Sequence, residues 1–392
     1  MIKRTVLTAA LLMAVAIAFA QEINRKKIED SVLGWKKVYN FKGAKAPLKV
    51  DDKTYSIAQL SIADSFVNWM QASYVPKGGL GDVKKSVTDK LGLYNQHTAG
   101  LPQRYGVYAT TYFYLKYNTD KTFTPANNLG VTWGIMANGV PTDWAIRDLC
   151  TATEFYFTLP SFESTSDAEL IKQQHDLSNI QALKPYTHFW VKNIEAGGGT
   201  DYIMLSKNNK SPYVKLTKGA YLQLLENAIP VVYARDKKKL YEKEQGNQKS
   251  IDYFMKYLDE KNEKRKNNLA KTKEKYKNQL SETALISKQP SLVDLENGYD
   301  VFSNGYLQDA SSTSGRVPVY KIDPAMAALS KTDKPQWILV SWWWSANDPV
   351  EKHLHESIIN NFNFEYVYNF FFDPEKVKGQ KYRPLRAPSQ NK

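Results

Sequence analysis

The chain of 392 residues carries a formal net charge of +13 at pH 7 and contains 9 Trp, 25 Tyr and 16 Phe. This length allows one large or two ordinary domains with sizeable cores. Cys150 is the only cysteine, which excludes an intramolecular disulfide, so the core has to supply the stability. Because no histidine is close to it in sequence, Cys150 is interpreted as a small buried side chain and not as a nucleophile.

The N-terminus has the three parts of a secretory signal peptide. Lys3 and Arg4 provide a positive start, an apolar run follows, and residues 18–20 read A-x-A before Gln21. A membrane anchor is the alternative, but the apolar run is too short to span a bilayer. We expect residues 1–20 to be removed and the mature protein to be exported, either to the periplasm or out of the cell.

The positive charge is concentrated in two segments. Residues 234–284 hold 15 Lys or Arg against 9 Asp or Glu, and residues 376–392 hold six bases and no acid. Each segment therefore contributes +6 and the signal peptide +2, which leaves −1 for the rest of the chain. A neutral body argues against a basic groove across the fold, so no specific nucleic-acid binding is expected.

The first clear element is a helix over residues 57–73. Ser56 and Gln59 form a capping-box pattern, and apolar residues follow at helical spacing. The glycine cluster at 75–82 could cradle an anion, but it follows a helix and lacks the Gly-Lys-Ser/Thr ending of a phosphate loop, so we interpret it as an ordinary loop. Further strands are predicted over 105–117, 129–137 and 154–159.

The middle of the chain predicts a helix followed by a meander. A second capping box at 166–169 predicts a helix that ends near Leu183. Three alternating runs between 188 and 216 are separated by two turn-rich breaks, which predicts two successive β-hairpins.

A long charged helical segment comes next. It is predicted to start near Thr217, to be interrupted at Pro230 and to turn at Gly246-Asn247, with a second helix over 249–283 that contains neither Pro nor Gly. Its apolar seam has a 4-3 rhythm, kept by Ile251, Met255, Leu258, Leu269 and Tyr276 and broken by Asn262, Arg265 and Thr272. We interpret it as a helical hairpin arm, weakly buried on one side and solvated on the other.

The C-terminal region is rich in aromatic residues. The run 336–345 predicts a strand buried on both faces, and Asp348-Pro349 predicts the start of a helix. Aromatic residues at every second position over 362–372 predict a strand with a one-sided ladder. A helix is the alternative, because Phe364, Tyr368 and Phe371 also follow helical spacing.

No catalytic motif is found in the sequence. It contains no nucleophile elbow, no H-E-x-x-H, no phosphate loop and no dinucleotide fingerprint. His353 and His355 are two residues apart on a predicted helix, so they point in different directions and cannot chelate one ion. Neither a metal nor a cofactor is therefore predicted. A carboxylate pair for hydrolysis could not be chosen among 40 Asp and Glu.

Five residues are candidates for ligand binding. Trp342 and Trp344 share one face of the predicted strand, where flat aromatic rings could stack on sugars or polymers, although core packing is the alternative. In the basic tail, prolines disfavour helix and leave Tyr382, Arg383 and Arg386 accessible.

These patterns predict an α+β fold with antiparallel sheets, packed helices and a projecting charged helical hairpin arm. The expected parts are an α+β body (21–233), the arm (234–284) and an aromatic-rich C-terminal unit packing on the body (285–392), with its basic tail at 376–392. The functional hypothesis is an exported cell-envelope binding or assembly protein without catalytic activity, meeting anionic polymers or lipid head groups. The alternative is a secreted hydrolase acting on glycan or peptide through unidentified carboxylates.

Overall fold

The computed structural model describes residues 25–38, 44–50, 53–87, 90–91, 96–97, 101–118, 122–141, 144–150, 154–159, 180–181, 183–193, 198–287, 292–309, 312–313 and 315–386. The predicted signal peptide and most of the helix predicted from residue 166 lie outside these residues. Helices and antiparallel sheets make up the described chain, so the predicted α+β class is confirmed.

The strands follow one another along the chain in this order. They are β1 (Leu48–Val50), β2 (Lys53–Tyr55), β3 (Leu80–Val87), β4 (Lys90–Leu91), β5 (Gln96–His97), β6 (Tyr105–Tyr112), β7 (Leu115–Tyr117), β8 (Phe123–Pro125), β9 (Gly130–Ala137), β10 (Tyr156–Thr158), β11 (Thr187–Asn193), β12 (Gly198–Ser206), β13 (Tyr213–Lys215), β14 (Leu285–Ile286), β15 (Val317–Ile322) and β16 (Trp337–Trp344).

The helices are α1 (Ile57–Ser73), α2 (Lys218–Lys243), α3 (Gln248–Lys275), α4 (Val293–Asn297), α5 (Pro324–Leu329), α6 (Pro349–Asn361) and α7 (Phe364–Phe372). The predicted start and end of α1 are confirmed. Ser56 accepts a hydrogen bond from the Gln59 backbone, and the Gln59 side chain accepts one from the Ser56 backbone, so both halves of the capping box are formed.

A six-stranded antiparallel sheet has the order β11-β12-β16-β9-β6-β3. The predicted strand β16 lies inside it, and Val340 is paired with Ile203 of β12 on one side and Ile135 of β9 on the other. A second sheet has the order β10-β15-β13, with β14 also paired to β15. The C-terminal strand β16 is therefore flanked on both sides by strands that precede the arm.

Alternating side chains of β16 face two different cores. Ile338 and Trp342 face a core built with α1, α6 and α7, whereas Trp337 and Leu339 face a core shared with the second sheet. Along β15, Val319 belongs to a third core, formed with α2, α3 and α4 on the far side of the second sheet. The described chain therefore forms successive layers: the helices α1, α6 and α7, the six-stranded sheet, the second sheet, and the helices α2, α3 and α4.

The predicted meander is half correct. β11 and β12 form the first hairpin, with Phe189 opposite Tyr202. The second predicted hairpin is wrong, because β13 leaves the first sheet and pairs with β15. A 3-10 turn at Lys207–Asn209 redirects the chain, and the left-handed backbone of Asn208 and Asn209 (both φ 55°) ends the pairing with the first sheet.

The strand predicted over 105–117 is divided in the structure. β6 ends at Tyr112 and pairs with β3 and β9, whereas β7 starts at Leu115 and pairs with β8. Aromatic residues on both faces of this stretch gave no sign of the break.

The predicted interruption at Pro230 is wrong, because α2 continues through it to Lys243. A proline removes one intrahelical hydrogen bond, but its neighbours Ala228, Ile229 and Val232 are buried in the third core and hold the helix. The turn at Gly246-Asn247 is confirmed, since Gly246 has a φ of 87° and Asn247 caps α3.

The seam of the arm continues through its polar positions. Asn262, Arg265 and Thr272, which were expected to break the 4-3 rhythm, are buried together with Ile251 and Leu269. The series of positions four and three residues apart therefore runs unbroken from Ile251 to Tyr276, on the side of α3 that packs against α2 and α4. Its spacing is regular, although some of its side chains are polar.

The strand predicted over 362–372 is wrong, and the helical alternative is correct. Asn363 caps α7 by accepting a hydrogen bond from the Tyr366 backbone at 2.9 Å. Phe364 and Val367 are fully buried against the first core, while Phe370 lies at the rim. On a helix, residues at every second position point to different sides. The six aromatic residues therefore do not share one face, and only some of them are buried.

Candidate functional site

Trp342 is a core residue. It is almost fully buried, and its indole N–H donates to Nδ1 of His355 at 3.0 Å. No face of this ring is open to a sugar or a polymer, so the core alternative describes Trp342.

Trp344 is partly buried two residues further along the same face. Its indole N–H donates to Asp201 Oδ2 at 2.6 Å, and its ring stacks on His355. Trp343 donates a hydrogen bond to Glu351 of α6 and also packs against the first core. Trp344 is thus engaged on one ring face and at its polar edge.

His355 and Asp201 approach each other beneath the tryptophans, with 3.7 Å between His355 Nδ1 and Asp201 Oδ2. An indole nitrogen can only donate, so Nδ1 accepts from Trp342 and carries no proton. Burial lowers the pKa of His355 to about 4, which keeps the imidazole neutral. A catalytic base–carboxylate pair needs the ring N–H directed at the carboxylate and a pKa near the working pH. This cluster instead fastens α6 to β16 and β12.

The two histidines of α6 point apart, as predicted. His353 Nε2 lies 3.2 Å from the Val75 carbonyl, and burial lowers the pKa of His353. A cavity of about 250 Å³ beside it is lined by ion pairs, including Lys77 with Asp30 at 2.8 Å. Within the residues that the structure describes, no group of three or more His, Cys, Asp or Glu is placed to hold a metal ion.

The predicted tail residues have two different roles. The Tyr382 ring stacks on Trp69 with centroids 5.5 Å apart, and its hydroxyl lies 2.6 Å from Ser73 Oγ. Burial raises the pKa of Tyr382 to about 12. Arg383 and Arg386 are exposed. The described tail is therefore docked through its tyrosine and presents its two arginines to solvent.

A surface that the sequence analysis missed lies on α3, in the half of the hairpin next to the turn. Tyr253, Phe254 and Tyr257 are 73%, 42% and 57% exposed and are spaced to share one side of the helix. Tyr253 and Phe254 contact each other edge to face, with centroids 5.2 Å apart. We call these three residues the arm aromatic face.

Lysines surround the arm aromatic face. By helical geometry Lys249, Lys256, Lys261 and Lys264 lie on the same side of α3, together with two acids, Glu260 and Glu263. Lys261 Nζ lies 4.7 Å from the centroid of the Tyr257 ring, a cation–π distance. Exposed contiguous aromatic surface of this kind marks an interaction site more often than a scattered apolar residue does. The sequence signal was present, since all three aromatics lie off the 4-3 seam.

Comparisons with known proteins add no assignment: no family model, no curated protein and no solved structure matches this chain. Among the described helices, none is both long and apolar enough to cross a lipid bilayer.

Proposed function

We propose that the protein is an exported, non-catalytic binding protein of the cell envelope that attaches to an anionic surface, namely lipid head groups, through its helical hairpin. The observation that carries this proposal is the arm aromatic face with its four lysines against two acids. Tyrosine rings favour the interface between water and hydrocarbon, and lysines favour anionic head groups.

The expected strength follows from charge and contact. Each base close to an anionic membrane contributes about 1 kcal/mol, so the four lysines supply at most about 4 kcal/mol. Glu260, Glu263 and the ion pair of Lys261 with Glu296 at 3.2 Å reduce this sum. This attraction fades beyond about 10 Å at 0.1 M salt. Insertion of Tyr253, Phe254 and Tyr257 to head-group depth would add an apolar contribution that salt does not weaken. Attachment should therefore be strong at low salt and reduced, though not abolished, at high salt.

The hydrogen bonding of His355 and Asp201 supports a non-catalytic role. The Asp201 carboxylate accepts from the Trp344 indole, and His355 Nδ1 accepts from the Trp342 indole, so both atoms that a proton transfer would use already have partners. The hydrolase hypothesis gains no support from this cluster.

The test is co-sedimentation of the mature protein with anionic and with neutral vesicles, each at low and high salt. One variant carries Lys249→Gln, Lys256→Gln, Lys261→Gln and Lys264→Gln. Its matched control replaces four exposed lysines outside the arm, namely Lys207, Lys210, Lys331 and Lys334, with Gln. We expect the arm variant to lose at least tenfold in affinity for anionic vesicles and the control to lose less than threefold.

Equal losses in the arm variant and the control would contradict the proposal, and so would binding that is indifferent to salt. A protein that sediments with an anionic polysaccharide and not with anionic vesicles would contradict the choice of lipid as partner.

A further inference from the structure

A cavity of about 490 Å³ opens at one end of the six-stranded sheet, next to the C-terminus of α7. Ser206, the last residue of β12, is paired there with Trp337, the first residue of β16. The segments that adjoin this pair, 207–210 and 334–336, therefore lie side by side and both line the cavity. A cavity of this size can enclose a small organic molecule.

Part of the lining is apolar and held by the core. Met326 of α5, Pro335, and Phe371 and Phe372 of α7 line the cavity, and all four are partly or fully buried. The Phe371 ring packs against Phe66 of the first core, with centroids 5.9 Å apart. Aromatic rings fixed in this way offer an apolar surface to a ligand at little entropic cost.

The two polar segments of the lining are also held in place. The Asn208 backbone N–H donates to the Tyr368 hydroxyl of α7 at 3.3 Å, which ties the 3-10 turn after β12 to the helix. The Gln336 side-chain amide donates to the Lys334 carbonyl at 3.0 Å and stabilises the other segment. The cavity is thus bounded by segments that the fold itself positions.

The charged side chains of the lining are three lysines. Lys207 and Lys210 come from the turn after β12, and Lys334 precedes β16. All three are exposed, and none forms an ion pair with another residue that the structure describes. Like charges that surround one cavity repel each other, so an anion bound among them would relieve the repulsion.

The neighbouring acids do not cancel this charge. No acid lines the cavity, and Asp373 beside it pairs with Lys376 at 2.9 Å. The Asp323 carboxylate accepts hydrogen bonds from the first turn of α5. Even if Asp323 and Asp333 are counted in full against the three lysines, one positive charge remains in surplus.

We propose that this cavity binds a small organic phosphate, with the phosphate group among Lys207, Lys210 and Lys334 and an aromatic or other apolar body against Met326 and Phe372. A phosphate monoester carries a charge of about −1.5 to −2 at pH 7, which suits more than one lysine. Ammonium groups bind phosphate as compact charges, whereas carboxylates are matched best by guanidinium groups, and no arginine lines this cavity.

A phosphate ester can be a soluble molecule or part of a lipid head group. The cavity can enclose a whole small molecule, so the ligand is a soluble ester. The site therefore needs no membrane and is independent of the proposed attachment through the arm.

The probe is 1-naphthyl phosphate, titrated calorimetrically into the mature protein in a phosphate-free buffer. Its partial analogues are 1-naphthol, inorganic phosphate and 1-naphthoate, which lack the charge, the apolar body and the phosphate respectively. The site variant carries Lys207→Gln, Lys210→Gln and Lys334→Gln, and Met326→Trp fills the cavity while leaving the lysines in place. The control is the arm variant defined above, which removes four lysines elsewhere. Circular dichroism checks that each variant is folded.

We expect naphthyl phosphate to bind at least fivefold tighter than each of the three analogues. The site variant and Met326→Trp should each weaken it at least fivefold, and the arm variant should not. Binding that is absent, equalled by an analogue, retained within fivefold by either folded cavity variant, or weakened as much in the arm variant would overturn the proposal. If Met326→Trp does not fold, the site variant decides alone, because its three lysines are exposed.

Co-sedimentation with anionic vesicles distinguishes the two sources of phosphate. The site variant should still attach to vesicles, while the arm variant should lose attachment and keep naphthyl phosphate binding. Loss of vesicle attachment in the site variant would contradict a soluble ligand. Failure of the arm proposal and failure of this site are therefore separate results.

Discussion

Trp344 lies nearly parallel to His355, with ring centroids 3.7 Å apart and an interplanar angle of 16°. The imidazole therefore lies between β16 and α6, where the Trp342 indole N–H donates a hydrogen bond to its Nδ1. A protonated ring would lose that hydrogen bond and place a charge in a buried site. The stack therefore depends on His355 staying neutral.

Stability should fall in acid because of His355. Its pKa is lowered by burial from 6.5 to about 4, so between these pH values the unfolded chain binds a proton that the folded protein does not. The free energy of unfolding then decreases as the pH falls through this window, by up to about 3 kcal/mol. Denaturant unfolding of wild type and His355→Gln at pH 7 and pH 4 measures the difference. The same pH dependence in both proteins would show that His355 does not titrate in this way.

Two phenylalanines of α7 should differ sharply in their contribution. Phe364 is fully buried in the first core, whereas Phe370 is 39% exposed at its rim. Phe364→Ala should lower the free energy of unfolding by about 3–5 kcal/mol, and Phe370→Ala by about 1 kcal/mol or less. Denaturant unfolding of the two variants tests the helical assignment, because on the predicted strand both residues would face the same side. Equal losses would argue for the strand.

Removal of the basic tail should destabilise the fold for reasons other than charge. A chain that ends at Glu375 loses Tyr382, whose ring covers Trp69, and this should cost about 2 kcal/mol or more. Arg383→Gln with Arg386→Gln removes only exposed charge and should leave the melting temperature unchanged. Thermal unfolding of both variants separates the two effects. An unchanged melting temperature in the truncated chain would mean that the tail is not docked.

Export predicts a defined N-terminus. If residues 1–20 form a signal peptide, the protein isolated from its host should begin at Gln21, and mass spectrometry of the intact protein would measure this. Recovery of the protein with Met1 still attached would rule out cleavage.

The sequence predicted helix starts correctly where the capping residues are close neighbours in the chain. The capping box at Ser56 and the Asp348-Pro349 pair both start helices at the expected positions. The aromatic spacing over 362–372 fits both a strand and a helix, so the sequence alone does not distinguish them. The helix forms because Asn363 caps α7 and because Phe364 is buried in the first core. Here the pattern was ambiguous and packing was decisive.

Long-range partners were beyond reach of the sequence. Asp201 meets Trp344 across 143 residues, and no spacing rule links them. Arg265 seemed to break the arm seam because its partner Glu296 comes 31 residues later on another helix. In contrast, the arm aromatic face could have been found, since a helical wheel places Tyr253 and Tyr257 off the seam.

Lipid attachment through the arm is tested most directly at Tyr253 itself. With Cys150 replaced by Ser, Tyr253→Cys gives one thiol for an environment-sensitive fluorophore, and Tyr117→Cys gives a matched label at an exposed aromatic position on the body, 59% exposed. On addition of anionic vesicles we predict a blue shift and a gain in intensity at position 253, reversed by high salt, and no change at position 117. A label at 253 that remains in water while the protein sediments with the vesicles would contradict attachment through the arm.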